Sequence, residues 1–396
     1  MDPITQFSKS RLHLLAALVS QQLQPEVVRD EDWPEITALA LRHGLGPMLL
    51  WALNEDGFDT DEDPHWEPLV SAARVAAINY ALLKNTLRQV DAALAEAGVP
   101  ALWLKGFALA QTVYPLPRLR PMVDLDLLVP YEQRSAALDI TNLLGFHTPE
   151  GHYYSEIINP PEDLWHHYQL MGGVSDAIYL ELHYRLLRRG GKELLPEDQP
   201  DWFWSQTQEL SKDGVLFRFL KPEAHLLYLC AHAILQHGEG ELYLLRYFDL
   251  HLLATKTVQD WQVVVDWALA FRWSYAVERA LTLTVRIFDT TVPESVFTQL
   301  RERRSCDEDI SRAVRLQAKD FRREKRKMLR AQMSLGERIG IFYRRIFPPK
   351  SFIRHFYAIK PGQLVFPYYV YHWFKKAREA AGSVRSRLAR STSKPL

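Results

Sequence analysis

The sequence predicts an α+β protein in which a small mixed sheet is flanked by helical regions. Most of the chain repeats apolar residues at the i, i+3, i+4 spacing of amphipathic helices. Between residues 98 and 190 this pattern is interrupted by short apolar stretches with the alternation typical of strands. We therefore expect four regions: N-terminal helices over 1–97, an α/β core over 98–190, a second helical domain over 191–300 and a tail over 301–396.

The composition is that of a globular protein with room for more than one domain. Of 396 residues, 47% are hydrophobic and 24% are charged. The two cysteines, Cys230 and Cys306, lie far apart in sequence and indicate neither a metal cluster nor a disulfide framework. No apolar run reaches the roughly 18 residues that span a bilayer, and the N-terminal LHLLAALV reads as an ordinary helix rather than a signal peptide. We expect a cytoplasmic protein.

Charge is distributed unevenly along the chain, although the net charge is zero. Residues 301–396 hold 25 Lys and Arg against 8 Asp and Glu, whereas the first 300 residues hold 23 against 40. The tail also contains the aromatic and basic segment FPYYVYHWFKK, and its polar end is expected to be disordered. Three interpretations follow, in this order: docking on the acidic body, peripheral contact with an anionic membrane surface, and binding of nucleic acid.

Long periodic stretches predict the helices. Before residue 98 they are RLHLLAALVSQQL, DWPEITALALRHGLGPMLLWAL and WEPLVSAARVAAINYALLKNTLRQVDAALAEAG, and Gly98 follows as a helix-ending glycine. After Pro222 they are EAHLLYLCAHAILQHG, LYLLRYFDLHLLATK, DWQVVVDWALAFR and YAVERALTLTVRIFDT, followed in the tail by AKDFRREKRKMLRAQ.

The predicted core alternates strands and helices. VPALWLKG and MVDLDLLV read as strands, with the helix FALAQTVY and a proline-punctuated loop between them. The helix YEQRSAALDITNLLG follows, and then the strands WHHYQLMG and AIYLELHYRLL, joined by a Gly-Gly and Ser-Asp turn.

Two aspartates interrupt the apolar strand MVDLDLLV. Side chains alternate along a strand, so Asp124 and Asp126 share one face, roughly 7 Å apart. If the strand LYLELHYRL lies beside it with matching faces, Glu181 joins them, with Tyr179 and His183 on the same face. Three converging carboxylates favour Mg²⁺ or Mn²⁺, and two such ions can clamp an in-line phosphoryl or nucleotidyl transfer. An isolated D-x-D pair is more often only the polar face of an exposed strand.

A lysine and a glycine precede the acids at the junction of a strand and a helix. Backbone N–H groups at a helix start attract phosphate, and Gly106 lets a ligand approach the backbone closely. Lys105, Arg118 and Arg120 add positive charge that suits a triphosphate.

This order of motifs resembles the DNA polymerase β-like nucleotidyltransferase superfamily and, more closely, the bacterial family of uncharacterised nucleotidyltransferases. The matching segments are LKGFALAQTVYP, RLRPMVDLDLLVP, LELHYRL, HAILQHG and LRYFDLHLL, within roughly residues 30–290. The resemblance implies that Asp124 and Asp126 bind Mg²⁺ or Mn²⁺ and that Glu181 is the third carboxylate. It also implies that Lys105 and Gly106 lie by the phosphates of a nucleoside triphosphate such as ATP.

The implied activity is transfer of a nucleoside monophosphate to an acceptor hydroxyl with release of pyrophosphate. The acceptor is a small molecule, a glycan or lipid intermediate, a peptide, an RNA or a protein, and Glu181 would help to deprotonate it. Two departures from the superfamily pattern are Lys-Gly in place of Gly-Ser and a glutamate as the third acid. A catalytically inactive nucleotide-binding or interaction protein of the same fold is the alternative.

Polar residues of the second helical domain are further candidates. The resemblance places His232, His237, Arg246 and Asp249 at the cleft, against base or phosphate. The other interpretation is a buried network between helices, with Arg246 and Asp249 paired at i,i+3. One of the two histidines in DLWHHYQL is expected to be structural, and His183 to hydrogen-bond near the third acid. G-x-S-x-G, Walker and Cys-x-x-Cys motifs are missing from the sequence, so hydrolase, P-loop and zinc interpretations have no support.

Overall fold

The chain forms two compact units. The computed structural model describes residues 9–58, 60, 64–148, 166–173, 177–187, 200–212, 215–238, 242–258, 260–306, 308, 364–371 and 373. The first unit comprises Met1–His147 and Glu162–Lys319, and the second comprises Thr148–Pro161 and Asp320–Leu396. In the second unit a helical turn covers residues 366–371, and the rings of Tyr369 and Trp373 lie 6.1 Å apart. The predicted charged helix and polar end of the tail lie outside the described residues.

Helices form the larger part of the first unit. Before the sheet they are α1 Lys9–Val19, α2 Trp33–Arg42, α3 Gly46–Glu55 and α4 Glu67–Glu96. Within the sheet region they are α5 Lys105–Thr112, α6 Arg134–Leu143 and α7 Pro200–Ser205. After it come α8 Pro222–Ala231, α9 Leu244–Lys256, α10 Trp261–Ala270, α11 Ser274–Phe288 and α12 Glu294–Glu302. Among the described residues, none of these helices is both long and apolar enough to cross a membrane.

In the part of the chain that the structure describes, six strands build one mixed sheet. They are β1 Leu102–Trp103, β2 Asp124–Leu128, β3 His167–Gly172, β4 Ile178–His183, β5 Thr207–Lys212 and β6 Val215–Leu220, in the spatial order β3-β4-β2-β1-β6-β5. The pairs β2–β4 and β1–β6 are parallel, and the other three neighbouring pairs are antiparallel. The α+β prediction is confirmed.

The two faces of the sheet meet two different hydrophobic cores. One core joins alternate residues of the strands, such as Leu125, Leu127 and Leu180, to the apolar sides of α4 and α5, including Leu87 and Phe107. The other core unites the N-terminal helices α1–α3 with α8–α12 and receives the strand residues Leu102, Leu128 and Leu220. Because side chains alternate along a strand, the odd-numbered leucines of β2 bury one face and leave Asp124 and Asp126 on the other. The acids thus lie on the sheet face that turns towards the larger helical core.

Most predicted elements are present, and two strands were missed. The predicted strands around residues 102, 126, 169 and 180 are confirmed, and the antiparallel β3–β4 pairing agrees with the predicted hairpin. The helix expected from Phe107 begins two residues earlier, at Lys105. The antiparallel strands β5 and β6 were not predicted; they extend the sheet beyond β1 and place sheet residues after position 200. The division into four regions remains a prediction.

Candidate active site

The three acids lie on two neighbouring parallel strands. Asp126 is the direct cross-strand partner of Glu181, and Asp124 is the partner of Tyr179. The predicted matching of faces between these strands is therefore confirmed. Asp126 is only 5% exposed, the side chain of Glu181 is 20% exposed, and Asp124 is half-buried. The result is a partly covered face of negative charge, called here the acid face, defined by Asp124, Asp126 and Glu181.

Lys105 directs its ammonium group into the acid face. It is the first residue of α5, immediately after the short strand β1, and its backbone is in the left-handed region at φ +43°. Nζ lies 2.6 Å from Asp126 Oδ1 and 3.4 Å from Glu181 Oε2. A non-glycine residue at positive φ costs on the order of 1 kcal/mol, so the surrounding contacts hold it there. The ammonium is thus an internal counter-ion for two of the three carboxylates.

His183 makes a second contact from a nitrogen atom to the same carboxylates. It ends β4 and is completely buried, with Nε2 3.1 Å from Asp126 Oδ1 and 3.2 Å from Glu181 Oε2. The expectation that this histidine hydrogen-bonds beside the third acid is confirmed. On the far side of Glu181, His167 Nε2 lies 3.8 Å from Oε1. Glu181 is therefore surrounded by nitrogen atoms.

Burial and charge act differently on the acids. Burial, together with the charges of Asp126 and Glu181, raises the pKa of Asp124 to about 6. Burial also acts to raise the pKa of Glu181, but the hydrogen bond from His183 and the charge of Lys105 bring it well below its ordinary value. Burial acts to lower the pKa of Lys105, but Asp126 raises it well above its ordinary value. Glu181 and Lys105 are therefore charged at neutral pH, and Asp124 is the carboxyl that protonates more easily than Glu181.

Arg120 is fixed by a buried pair with Asp249. Its Nε donates to Asp249 Oδ1 at 3.0 Å and its Nη2 donates to Oδ2 at 2.7 Å, while the Tyr114 hydroxyl donates to Oδ1 at 2.7 Å. The sequence interpretation that paired Asp249 with Arg246 at i,i+3 is corrected here, because Arg120 reaches Asp249 from the loop before β2. Gly106 lies against this pair, and a Cβ there would collide with Arg120 Nη1. Arg120 and Gly106 thus shape the turn together.

Of the remaining predicted residues, three lie together on the helical side and Arg118 lies apart from them. His232 and His237 lie with ring centroids 4.7 Å apart, and Arg246 Nη2 is 3.2 Å from His237 Nδ1. Burial is the main cause that lowers the pKa of His237 to about 4, and the charges of Arg246 and Lys105 lower it further. Arg118 is exposed on the turn Pro117–Leu119.

Sequence reasoning missed a polar layer around the acid face. Gln236 Nε2 lies 2.8 Å from His166 Nε2, which is in turn 2.9 Å from His167 Nδ1. Residues His232–Gln236 continue α8 as a wider π-helical turn, a deviation that often marks functional sites. Tyr228, on the preceding α-helical part of α8, lies near Lys105 of α5. The motif HAILQHG signals polar residues here, but their partners depend on tertiary contacts.

The donor set fits a divalent cation. One ligand atom each from Asp126, Glu181 and His183 lie within 4.8 Å of one another. Asp124, although on the same face, is outside this group. Two polar atoms around the site, His183 Nδ1 and His166 Nδ1, are buried and have no hydrogen-bond partner among the described residues. Buried polar atoms of this kind call for a further partner.

Comparison with known proteins shows the class of protein to which this chain belongs. The family model described as uncharacterised nucleotidyltransferase matches residues 29–289, which is more than half of the chain. The chain belongs to this family. It is therefore an enzyme of the nucleotidyltransferase class, and its acceptor is not identified by the match. No curated protein matches the chain in sequence.

Two solved structures are also similar to parts of the chain. One is the solution structure of the antibiotic-resistance factor ANT(2'')-Ia, with 17% sequence identity and a TM-score of 0.31, covering 52% of this chain and 97% of that one. The other is the crystal structure of an antigenic nucleotidyltransferase-like protein from Paracoccidioides brasiliensis. It has 13% identity and a TM-score of 0.32, covering 59% of this chain and 94% of that one.

Proposed function

We propose that the protein transfers a nucleoside monophosphate from a nucleoside triphosphate to a hydroxyl group of an acceptor and releases pyrophosphate. The observation that supports this most is the β2–β4 register, which sets Asp126 beside Glu181 on the face that also carries Asp124. The start of α5, with Lys105 and Gly106, adjoins this face and offers backbone N–H groups to phosphate.

The acid face would hold the metal of the reaction. Asp124, Asp126 and Glu181 are the proposed ligands of Mg²⁺ or Mn²⁺, with His183 adjoining them. A divalent cation in such a site would neutralise triphosphate charge and polarise the phosphoryl oxygens as a Lewis acid. A cation on Asp126 would compete with the ammonium of Lys105, which would then be available to the triphosphate.

The chain's own residues orient the reactants. The acceptor oxygen forms a bond to the α-phosphorus while the bond from that phosphorus to the bridging oxygen breaks, and pyrophosphate leaves with the electron pair. The proton of the hydroxyl passes to a carboxylate of the acid face. Lys105 and the exposed Arg118 suit the triphosphate, while His237 and Arg246 approach from the helical side. Arg120 is committed to Asp249, so its part is to hold the turn in place.

Calorimetric titration with each of the four nucleoside triphosphates tests the nucleotide site without knowledge of the acceptor. We expect binding that requires Mg²⁺ or Mn²⁺, is abolished by EDTA and is lost in the Asp124→Ala/Asp126→Ala double variant. The control is Asp139→Asn, which changes an exposed carboxylate on α6. Equal binding by all three proteins, or none by the wild type, would reject the proposed site.

Transfer itself is measured with nucleoside triphosphate labelled at the α-phosphate and pools of candidate acceptors. Label at the α-phosphate should move to one of the acceptor pools, whereas label at the γ-phosphate should not. Pyrophosphate should be released together with this transfer. Asp126→Asn should slow transfer by about 10²- to 10³-fold, the range for losing one electrostatic contributor. Asp139→Asn should leave the rate unchanged.

A second candidate function is recognition of nucleotide without chemistry. The observation that favours it is Lys105, whose ammonium already neutralises Asp126 at 2.6 Å. Metal-independent nucleotide binding that persists in Asp126→Asn, with no label transfer in any pool, would support this second function over the first.

Several finer assignments belong to the same proposal. We assign the chain to the polymerase β-like superfamily and to bacteria, with ATP as the first nucleotide to test and the cytoplasm as its compartment. The acceptor classes are a small molecule, a glycan or lipid intermediate, a peptide, an RNA and a protein. The basic tail over residues 301–396 is proposed to contact an anionic surface peripherally.

A further inference from the structure

Three histidines gather beside the acid face, on the edge of the sheet formed by β3 and β4. His166 immediately precedes β3, His167 begins it, and His183 ends β4 as the direct cross-strand partner of His167. Ring centroids are 4.1 Å apart for His166 and His167, 4.9 Å for His167 and His183, and 5.3 Å for His166 and His183. One nitrogen atom of each lies within 4.8 Å of the other two. We call this set the imidazole cluster.

The hydrogen bonding of the imidazole cluster is incomplete. His166 Nε2 meets two nitrogen atoms, His167 Nδ1 at 2.9 Å and Gln236 Nε2 at 2.8 Å. An imidazole nitrogen carries either one hydrogen or one lone pair in the ring plane, so it satisfies only one of these two partners. The Nδ1 atoms of His166 and His183 are buried without a hydrogen-bond partner among the residues that the structure describes. A cation that accepts nitrogen lone pairs would resolve this mismatch.

The location is dry and negatively charged, which also suits a cation. His166 is 6% exposed, His183 is completely buried, and the side chain of His167 is 9% exposed. The adjoining acid face has three carboxyl groups, those of Asp124, Asp126 and Glu181, against the ammonium of Lys105 and the ring of His183, which both contact Asp126 and Glu181. A divalent cation bound by the imidazoles would therefore be next to the net negative charge of the acid face.

The donor atoms distinguish this cluster from the carboxylate set. Imidazole nitrogen favours Zn²⁺ and other first-row transition ions, whereas Mg²⁺ prefers oxygen ligands. Gln236, on the π-helical turn, holds His166 from outside, as an outer residue commonly orients a metal-binding histidine. Glu181 Oε1, 3.8 Å from His167 Nε2, is placed to add an oxygen ligand.

We propose that His166, His167 and His183 form a binding site for a transition-metal ion, with Zn²⁺ as the expected occupant. This site differs in its donor atoms from the carboxylate set Asp124, Asp126 and Glu181 of the proposed function, and it stands whether or not the protein transfers nucleotide. His183 belongs to both groups, so an ion on the imidazoles would hold the ring that contacts Asp126 and Glu181.

The test uses the full chain, freed of metal by EDTA and then dialysed. Zn²⁺ is titrated calorimetrically, and Co²⁺ is titrated as a spectroscopic substitute whose visible absorption reports nitrogen ligation. We expect one ion per chain, retained in millimolar Mg²⁺. His166→Ala and His167→Ala should each weaken binding by at least about 10-fold. The matched control, His147→Ala, removes an exposed histidine at the end of the same sheet and should bind like the wild type.

Two further variants separate this proposal from the proposed function and from misfolding. Asp124→Ala should keep the Co²⁺ spectrum while losing Mg²⁺-dependent nucleotide binding. His167→Gln keeps a polar side chain at this position of β3. The variant should lose the Co²⁺ spectrum, while its circular dichroism spectrum should show that the fold is intact. Wild-type protein that binds neither Zn²⁺ nor Co²⁺, or binding that survives in His166→Ala and His167→Ala, would overturn the proposal.

Discussion

Lys105 places a fixed positive charge between two carboxylates. Replacing it with methionine leaves Asp126 and Glu181 without that charge, and breaking a buried pair in this way costs about 3–5 kcal/mol. We therefore expect Lys105→Met to unfold at a lower temperature than the wild type in EDTA. Mg²⁺ or Mn²⁺ should raise its melting temperature more than that of the wild type, because the cation replaces the missing charge. Differential scanning fluorimetry with and without metal measures both effects.

Lys256→Met is the matched control for that experiment. Lys256 is an exposed residue at the end of α9, and its Nζ donates to the backbone carbonyl of Val113 at 3.0 Å rather than to a carboxylate. Its metal-dependent shift should equal that of the wild type. If metal raised the melting temperature of Lys105→Met by no more than that of the wild type, the ammonium and the metal would not share a site.

Asp91 provides a test of pH dependence away from the site. It accepts a hydrogen bond from Trp103 Nε1 at 2.8 Å, and burial raises its pKa above the ordinary value. A carboxyl whose pKa is raised in the folded state stabilises the fold at low pH, and this stabilisation is lost as pH rises through the folded-state pKa. Asp91→Asn keeps the acceptor without the charge. It should therefore be more stable than the wild type at pH 7, and this advantage should disappear near pH 3.5 in urea titrations.

Individual contacts were predictable only where strand periodicity determines them. Alternation along β2 and β4 is sufficient to place Asp126 and Glu181 on matching faces once the two strands are neighbours. The same reasoning does not predict that Lys105 points at Asp126, because a long side chain can take many directions. The pairing of Asp249 with Arg120 also needs the tertiary fold, since 129 residues separate them.

The start of α5 is packed closely against Arg120 and Met122. Gly106 is buried, and a Cβ there would meet Arg120 Nη1 as well as Met122 Cγ and Sδ, both at 3.2 Å. Arg120 cannot withdraw without loosening its pair with Asp249. We expect Gly106→Ala to destabilise the protein by about 1–3 kcal/mol, the usual cost of overpacking. The urea midpoint should fall with no change in the dependence on urea concentration.

Gly46→Ala tests whether the effect is specific to this helix start. Gly46 also opens a helix, α3, but its added Cβ would meet the flexible end of Leu41 at 3.1 Å. This variant should lie within about 0.5 kcal/mol of the wild type. An equal loss in both variants would show that backbone freedom, rather than contact with Arg120, accounts for the cost.

At the scale of elements, patterns with strong periodicity were predicted and weaker ones were not. The helices α1–α4 and α8–α11 follow long amphipathic stretches of the sequence. In β5, TQELSK holds a single large apolar residue, and this strand pairs through its backbone with β6, VLFRFL. In β6, Phe217 and Phe219 are buried in the same core as residues of α4 and α5. This tertiary packing, which the sequence pattern does not show, makes β6 part of the sheet.

Across the whole first unit, the Arg120–Asp249 pair ties the sheet region to the helix α9. The side chains are 12% and 5% exposed, so removal of one charge leaves the other buried and unpaired. We expect Asp249→Asn to destabilise the protein by about 3–5 kcal/mol. Tyr114→Phe, which removes one further hydrogen bond to the same carboxylate, should cost about 1.5–3 kcal/mol. Chemical denaturation followed by circular dichroism measures both.

An exposed ion pair supplies the comparison. Arg218 and Glu209 join β6 to β5 at 2.9 Å, with side chains 39% and 46% exposed. Because water screens such a pair, Glu209→Gln should cost no more than about 1 kcal/mol. If Asp249→Asn proved as mild as Glu209→Gln, the buried pair would not be a main link between sheet and helices.

The spacing of the site residues along the chain also bears on the order in which the charges meet while the chain folds. Lys105 and Asp126 are 21 residues apart, whereas Lys105 and Glu181 are 76 apart. Because closing the shorter loop costs less entropy, we expect the contact between Lys105 and Asp126 to form before the contact with Glu181. In that order Glu181 would join a sheet on which Asp126 already has a positively charged partner.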